Sequence, residues 1–413
     1  MTTKKVLVIS KTIPLLTGHG LAMRLGSLVD ALCEDHQVTL LIVSTDPAIT
    51  NSAINEYWRS RCANVVVCNV ATKVETPRSK ITSKEVFQRL ASREPKNVAI
   101  WPVDTIVESL GSFRDQQFDS VLVSRLHMMP VWNAIESKLA LKTKQAILDM
   151  DDIESLSLAR QIEIAGMATL GKIFYFLERL ESRKLAMAEA RAFRKMDRLL
   201  ICSDQDKEIL ERRLGKGKIH VVPNTIRLSA QLPPHSKNEV TRLLFVGTLN
   251  YPPNEDAIRW LLSEILPEID RRLGPGLVRL CVVGKQPPSW MCKRSTEGEF
   301  DLFSDVPDVM PYYADAHFVV VPIRAGSGTR IKILEAFGYG RLVLSTRIGA
   351  EGIQAEDGEE FLLADTAQTF TDALTRVLQD SAYANGMVEK ARKLVIERYS
   401  FESCVKALGF AMI

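Results

Sequence analysis

Val319-Val-Val-Pro-Ile-Arg-Ala-Gly-Ser-Gly-Thr-Arg-Ile-Lys-Ile-Leu-Glu-Ala-Phe-Gly-Tyr-Gly340 is the stretch on which the reading of this chain turns. Its branched residues mark the end of a buried strand that reaches Pro322. A glycine-containing loop follows, and a helix is predicted from near Thr329. The first N–H groups of a helix have no partner inside it, and its dipole favours negative charge there by roughly 0.3–1 kcal/mol. Gly326 and Gly328 let the main chain approach an oxyanion closely, with Ser327 and Thr329 on the same turn. Arg330 and Lys332 place two cations beside it, each able to make a charge-assisted bond to phosphate of about 1.5–3 kcal/mol. Taken alone, a strand, a glycine turn and a helix fit equally well a turn that merely seats a helix on a sheet. Glu335 shifts that reading. It lies in the apolar run Ile333–Phe337, and a buried carboxylate without a partner is costly. A ribose diol would suit its two oxygens; a structural pairing with Arg330 or Lys332 is the alternative.

Short apolar strands separated by helical segments extend in both directions. Upstream they are Val6–Ser10, Val38–Val43, Val65–Val70, Ser120–Val123, Ala146–Leu148, Leu199–Ser203 and His220–Val222. The pattern restarts with Leu243–Val246, Leu280–Val283, Phe318–Pro322 and Leu342–Ser345. Strands alternating with helices predict parallel sheets whose ligands bind at the carboxyl ends of the strands. A chain of 413 residues exceeds one ordinary core. Two α/β domains are therefore expected: 1–228, then a polar, Pro-containing linker over 229–239, then 240–395. The last stretch, 396–413, is expected to return to the first domain as a helix.

Composition narrows the function classes. A net charge of +3 is nearly neutral at this length, which argues against a partner bound by bulk charge, so no nucleic acid is expected. The seven cysteines form no CxxC pair or His-spaced cluster, which points to a reducing compartment and away from structural zinc. Val6–Ser10 is too short for a signal peptide, and no apolar stretch approaches the ~20 residues that span a bilayer. A cytoplasmic protein is expected, with the inner face of the membrane as its outer limit. The basic helix predicted over Leu177–Arg198 reads chiefly as a solvated face, with peripheral membrane contact as the second reading. No feature reports the oligomeric state.

The segment Gly326–Gly340, continued by Leu342-Val-Leu-Ser-Thr-Arg-Ile-Gly-Ala-Glu-Gly352, resembles the donor-site signature of retaining GT-B glycosyltransferases of family 4. Phe245-Val-Gly-Thr-Leu-Asn-Tyr-Pro-Pro-Asn254, Asp308-Val-Met-Pro-Tyr-Tyr313 and Val222-Pro-Asn224 are similar to that family's flanking elements. The resemblance implies two Rossmann-like parallel-sheet domains facing each other across a cleft. It implies transfer of a hexose-type sugar from a nucleoside diphosphate sugar to a hydroxyl of a glycan, lipid-linked or other acceptor, in surface polysaccharide or glycoconjugate biosynthesis. Glu335 would hold the ribose, and Arg330 and Lys332 would neutralise the diphosphate. Gly18 and Gly20 would form the glycine loop of the first domain, and His127 would approach the donor sugar. Arg24, Arg125 and Asn224 complete the set. Two departures stand out. Ser327 replaces the Glu that many members carry eight positions before Glu335, and the usual Arg and Lys are missing from Thr248–Asn254.

Asp149-Met-Asp151-Asp152 also allows a reading as a DxD metal motif. The basic donor loop supplies the phosphate countercharge without a metal, so no metal or other cofactor is expected, and Asp151 and Asp152 are assigned to the acceptor side. Rival functions are a nucleotide-sugar epimerase of the same fold and a catalytically silent subunit of a glycan assembly complex, the latter favoured by Ser327. A nicotinamide-dependent enzyme is disfavoured because Met23 and Ile331 stand where each GxGxxG would need its third glycine.

Overall fold

The computed structural model describes residues 3–70, 82–228 and 240–412. The chain forms two compact units. One comprises Met1–Leu16, Arg24–Val222 and Cys404–Ile413; the other comprises Thr17–Met23 and Pro223–Ser403. The expected linker 229–239 lies outside the described residues.

Among the described residues the first unit has seven strands: β1 Lys5–Ser10, β2 Gln37–Ser44, β3 Asn64–Asn69, β4 Gln117–Ser124, β5 Lys142–Asp151, β6 Arg198–Ile201 and β7 Ile219–Val221. They lie in the order β3-β2-β1-β4-β5-β6-β7, and every neighbouring pair is parallel. Branched and leucine side chains fill both faces; Leu7, Ile9, Val121, Val123 and Leu148 are all fully buried. The strand order reverses between β1 and β4, which makes their carboxyl ends the topological switch point.

The second unit repeats the plan with β8 Thr241–Thr248, β9 Val278–Lys285, β10 Asp301–Ser304, β11 Phe318–Val321, β12 Leu342–Ser345 and β13 Leu362–Leu363. Their order is β10-β9-β8-β11-β12-β13, again parallel throughout, with the switch point between β8 and β11. Sequence periodicity misses β10 and β13. Both are edge strands; β10 is partly exposed and β13 has only two residues, so neither presents an apolar run.

Two helices differ from expectation. The basic helix runs Lys172–Lys195, not Leu177–Arg198, because Met196 is extended and Arg198 already pairs with Ile147 in the sheet. Its charges are not simply solvated: Glu178, Glu181, Lys184 and Glu189 are buried, with Arg89 3.1 Å from Glu178 and Lys184 3.0 Å from Glu181. The tail helix is Phe401–Ala411 and starts later than 396, because helix Ser381–Arg398 still holds residues 396–398 and leaves helical geometry at Tyr399. Among the described residues no helix is long and apolar enough to cross a membrane.

Candidate active site

In the second unit the deciding stretch forms a strand, a turn and a helix. β11 is buried at every position, the loop after it runs to Arg330, and the helix is Ile331–Gly338. The helix begins two residues later than the sequence predicts, because Arg330 has the extended φ and ψ of a cap (−85° and 99°). Gly326 and Gly328 have φ of 127° and 75°, the left-handed region that disfavours any other residue. Ser327 and Thr329 are buried within the turn.

Arg330 folds over this turn. Its Nη1 donates to the carbonyls of Ser327 and, at 2.9 Å, of Gly328. Its Nη2 is buried and, among the described residues, has no hydrogen-bond partner. A β-carbon on Gly326 would stand 2.5 Å from that Nη2, so the glycine is needed for space as well as for its φ. Buried guanidinium hydrogens beside a helix N-terminus are of a kind that suits an anion.

Lys332 extends from the first turn of the same helix towards β8. Its Nζ donates to Asn254 Oδ1 at 3.0 Å and lies 4.2 Å from the Phe245 ring centroid. Asn254 Nδ2 in turn donates to the Thr248 carbonyl at 2.8 Å. Burial, reinforced by Arg330 and opposed by Glu335, draws the Lys332 ammonium down to about 7. Sequence spacing does not reveal Asn254; its signal is a polar residue just inside a helix opened by Pro252-Pro253.

Glu335 is buried, and its hydrogen-bond partner is neither Arg330 nor Lys332. Tyr313 Oη donates to its Oε2 at 3.0 Å. Burial raises this carboxyl to about 7, against the Tyr313 bond and Lys332. The loop after β12 braces the turn from the side: the Thr346 hydroxyl donates to the Ile323 carbonyl and accepts the Gly349 N–H at 2.9 Å.

Thr17–Met23, which carries Gly18 (φ 124°) and Gly20, belongs to this second compact unit. A β-carbon on Gly20 would lie 3.3 Å from Ile331 Cδ1, at the start of the 331–338 helix. Asn224 is buried in the same unit.

In the first unit, Arg24, Arg125, His127, Asp151 and Asp152 gather at the carboxyl ends of β4 and β5. Arg24 and Asp149 form a fully buried bidentate pair with Nη2–Oδ1 at 2.6 Å, and Arg24 Nη1 donates to the Val222 carbonyl at 2.9 Å. Arg125 has φ of 75° and Asp151 of 63°, strained values for side-chain-bearing residues. The Arg125 guanidinium is 3.1 Å from Asp151, 2.7 Å from Asp152 and 3.1 Å from Glu154. The aspartates of the DMDD run are thus each within ion-pair distance of an arginine. Burial lifts Glu154 to about 7 despite Arg125, with Asp152 adding to the rise.

His127 is stacked near Trp101, whose Nε1 donates to the His127 carbonyl at 2.7 Å. Burial, then Arg125 and Lys11, draw the imidazole down to about 3. It is therefore neutral at physiological pH, and among the described residues its buried Nε2 has no hydrogen-bond partner.

Residues 240–380, about a third of the chain, match the family model "Glycosyl transferases group 1". This stretch of the second unit is a group 1 glycosyltransferase domain, an enzyme domain. No curated protein sequence matches the chain. Among solved structures, sucrose-phosphate synthase from Thermosynechococcus elongatus is 17% identical, with a TM-score of 0.69 and 98% of each chain covered. HepE of Anabaena in complex with UDP-glucose is 12% identical, with a TM-score of 0.65 and 99% of each chain covered. A glycosyltransferase from Rickettsia africae is 12% identical, with a TM-score of 0.61 and coverage of 100% of this chain and 98% of that one. At such identities the likeness establishes the fold, which is GT-B.

Proposed function

We propose that this chain is a retaining family 4 glycosyltransferase that moves a hexose-type sugar from a nucleoside diphosphate sugar to an acceptor hydroxyl. The observation that carries the reading is the buried Nη2 of Arg330 above Gly326, without a partner among the described residues, at the N-terminus of a helix that also bears Lys332 and Glu335. The turn and the two cations bind the diphosphate, and Glu335 accepts the ribose diol. Ser327 takes the place of a sugar-contacting carboxylate and offers a hydroxyl instead.

During transfer the bond from the anomeric carbon to the diphosphate oxygen breaks, and the acceptor oxygen bonds to the same face of that carbon. The acceptor's proton passes to an oxygen of the departing diphosphate. Arg330 and Lys332 stabilise the charge that builds there, a contribution that commonly dominates such rate enhancements. These countercharges remove the need for a metal. His127, being neutral, positions a sugar hydroxyl rather than supplying a proton. Asp151 and Asp152 serve the acceptor side through Arg125, with Asn224 and Arg24 supporting the binding segments.

The biological setting we infer is cytoplasmic synthesis of a surface polysaccharide or glycoconjugate, with contact at an anionic membrane face. All three glutamates of helix Lys172–Lys195 are buried, whereas Lys172, Ile173, Phe176, Arg179, Arg183 and Met187 form its exposed stripe. Cations interleaved with apolar side chains, without exposed acid, suit the interface of an anionic bilayer.

The test begins with UDP-glucose, the ligand of the Anabaena neighbour, followed by other nucleoside diphosphate sugars, each with and without a panel of hydroxyl acceptors. Acceptor-dependent release of nucleoside diphosphate, with the anomeric configuration kept in the product, is expected. Donor isomerisation without an acceptor would identify an epimerase instead. Tight donor binding with no turnover across the panel would identify a silent binding subunit.

A further inference from the structure

We propose that Tyr313 is a positioning residue for the nucleotide, holding the Glu335 carboxylate by Oε2 so that Oε1 is presented to the ribose. The inference rests on the reading of Glu335 as the ribose acceptor. It adds a residue that touches no substrate and lies on a different element, the helix Met310–Asp315.

The hydrogen bonding is asymmetric. Among the described residues, the bond from Tyr313 Oη at 3.0 Å is the only hydrogen bond made to the Glu335 carboxylate, and it falls on one oxygen. The phenol is fully buried, and burial together with the adjacent carboxylate pushes it well above its ordinary range, so it keeps its proton as a donor around neutral pH. A carboxylate pinned at one oxygen keeps a single rotamer, and its second oxygen then has a defined position for a ligand hydroxyl.

Tyr313 is itself held from behind. Arg341, 2% exposed, donates from Nε to the Tyr313 carbonyl at 2.6 Å and from Nη2 to the Ala314 carbonyl at 2.9 Å. These carbonyls end the helix Met310–Asp315, where a cation also complements the helix dipole. Tyr339 stacks on the Tyr313 ring with centroids 4.8 Å apart. Arg341 and Tyr339 directly follow the helix that carries Glu335. The chain Arg341–Tyr313–Glu335 therefore joins the two helices into one support for the carboxylate.

Among the charged and titratable groups on the elements about Glu335, Lys332 and Tyr313 bear on its ionisation. Lys332 stands one turn earlier on the same helix, Tyr313 faces it from helix Met310–Asp315, and Tyr339 follows that helix. Arg392, from helix Ser381–Arg398, donates to the Gly338 carbonyl at the helix end. Tyr313 and Lys332 stabilise the carboxylate form against burial. Loss of the phenolic hydroxyl therefore both frees the rotamer and moves ionisation of Glu335 to higher pH.

The experiment compares Tyr313→Phe, Glu335→Gln and the unaltered protein by calorimetry, with a nucleoside diphosphate and with inorganic pyrophosphate, from pH 6 to 9. Tyr313→Phe is expected to weaken nucleoside diphosphate binding roughly tenfold at neutral pH, the scale of one hydrogen bond to a charged group. Pyrophosphate binding should be unchanged, and the acid midpoint for nucleotide binding should move upward. Equal loss of both ligands would show that Tyr313 merely supports the fold, and overturns the proposal. So does nucleotide binding by Tyr313→Phe that equals the unaltered protein at every pH, while Glu335→Gln shows the loss. If Glu335→Gln also binds nucleotide normally, it is the ribose reading that fails.

Discussion

The guanidinium of Arg330 occupies the space that a side chain on residue 326 would need: a β-carbon on Gly326 would lie 2.5 Å from Nη2. The turn and the cation are therefore a single structure, since the same guanidinium donates to the carbonyls of Ser327 and Gly328. Gly326→Ala is expected to weaken pyrophosphate and nucleoside diphosphate alike, by about 1–3 kcal/mol, from strain at φ 127° and displacement of Arg330. Arg330→Lys keeps the charge but loses the planar fork, so its affinity should fall nearly as far as that of Arg330→Ala. Calorimetric titration measures both. A lysine variant with full affinity would show that charge alone suffices there.

Donor binding should pass through a maximum near pH 7. Lys332 titrates near 7, well below its ordinary 10.5, and loses its charge as pH rises through that value. Glu335 also titrates near 7, above its ordinary 4.5, and loses its charge as pH falls through it. A nucleoside diphosphate sugar keeps its two phosphate charges over this range, so the limbs report the protein, at up to about tenfold per pH unit for each proton. Glu335→Gln should flatten the acid limb and Lys332→Arg the alkaline one. His127, held neutral, should add no inflection near 6.5. A flat profile for the unaltered protein would count against both assignments.

Arg24 and Asp149 carry a stability prediction. Both are buried, and the guanidinium opposes the upward push of burial on the carboxyl through bonds of 2.6–3.1 Å. Arg24→Met leaves the carboxylate buried and unpaired, which should cost about 3–5 kcal/mol. Adding Asp149→Leu removes the orphaned charge and should restore much of the loss. Denaturant unfolding of the two single variants and the double variant gives the coupling; additive losses would contradict it.

The exposed stripe of helix Lys172–Lys195 predicts binding to vesicles containing phosphatidylglycerol and little binding to pure phosphatidylcholine. Replacing Lys172 and Arg183 by alanine should weaken the interaction by about 1 kcal/mol for each cation. Phe176→Ser should weaken it without altering its salt dependence. Co-sedimentation checks each expectation, and equal binding to both lipid mixtures would refute the electrostatic part.

The periodicity of single segments placed the strands of the two parallel sheets and the glycine turn after β11, because short-range spacing decides which side chains share a face and where the backbone must bend. The same spacing erred where neighbours in space took over. Arg198 joins a strand because β5 lies beside it. The glutamates of helix Lys172–Lys195 turn inward because Arg89 and Arg213, on neighbouring helices, pair with Glu178 and Glu189 there. Edge strands β10 and β13 have too little buried surface to leave an apolar signature. Likewise, residue type and position alone marked Gly326, Arg330, Lys332 and Glu335 as the candidate site. They could not assign its partners. Tyr313 stands 22 residues from Glu335, Asn254 78 from Lys332, and Asp149 125 from Arg24. Such pairs meet only where strand order brings distant loops to one end of a sheet, and the protonation of Lys332, Glu335 and His127 is set by the burial that results.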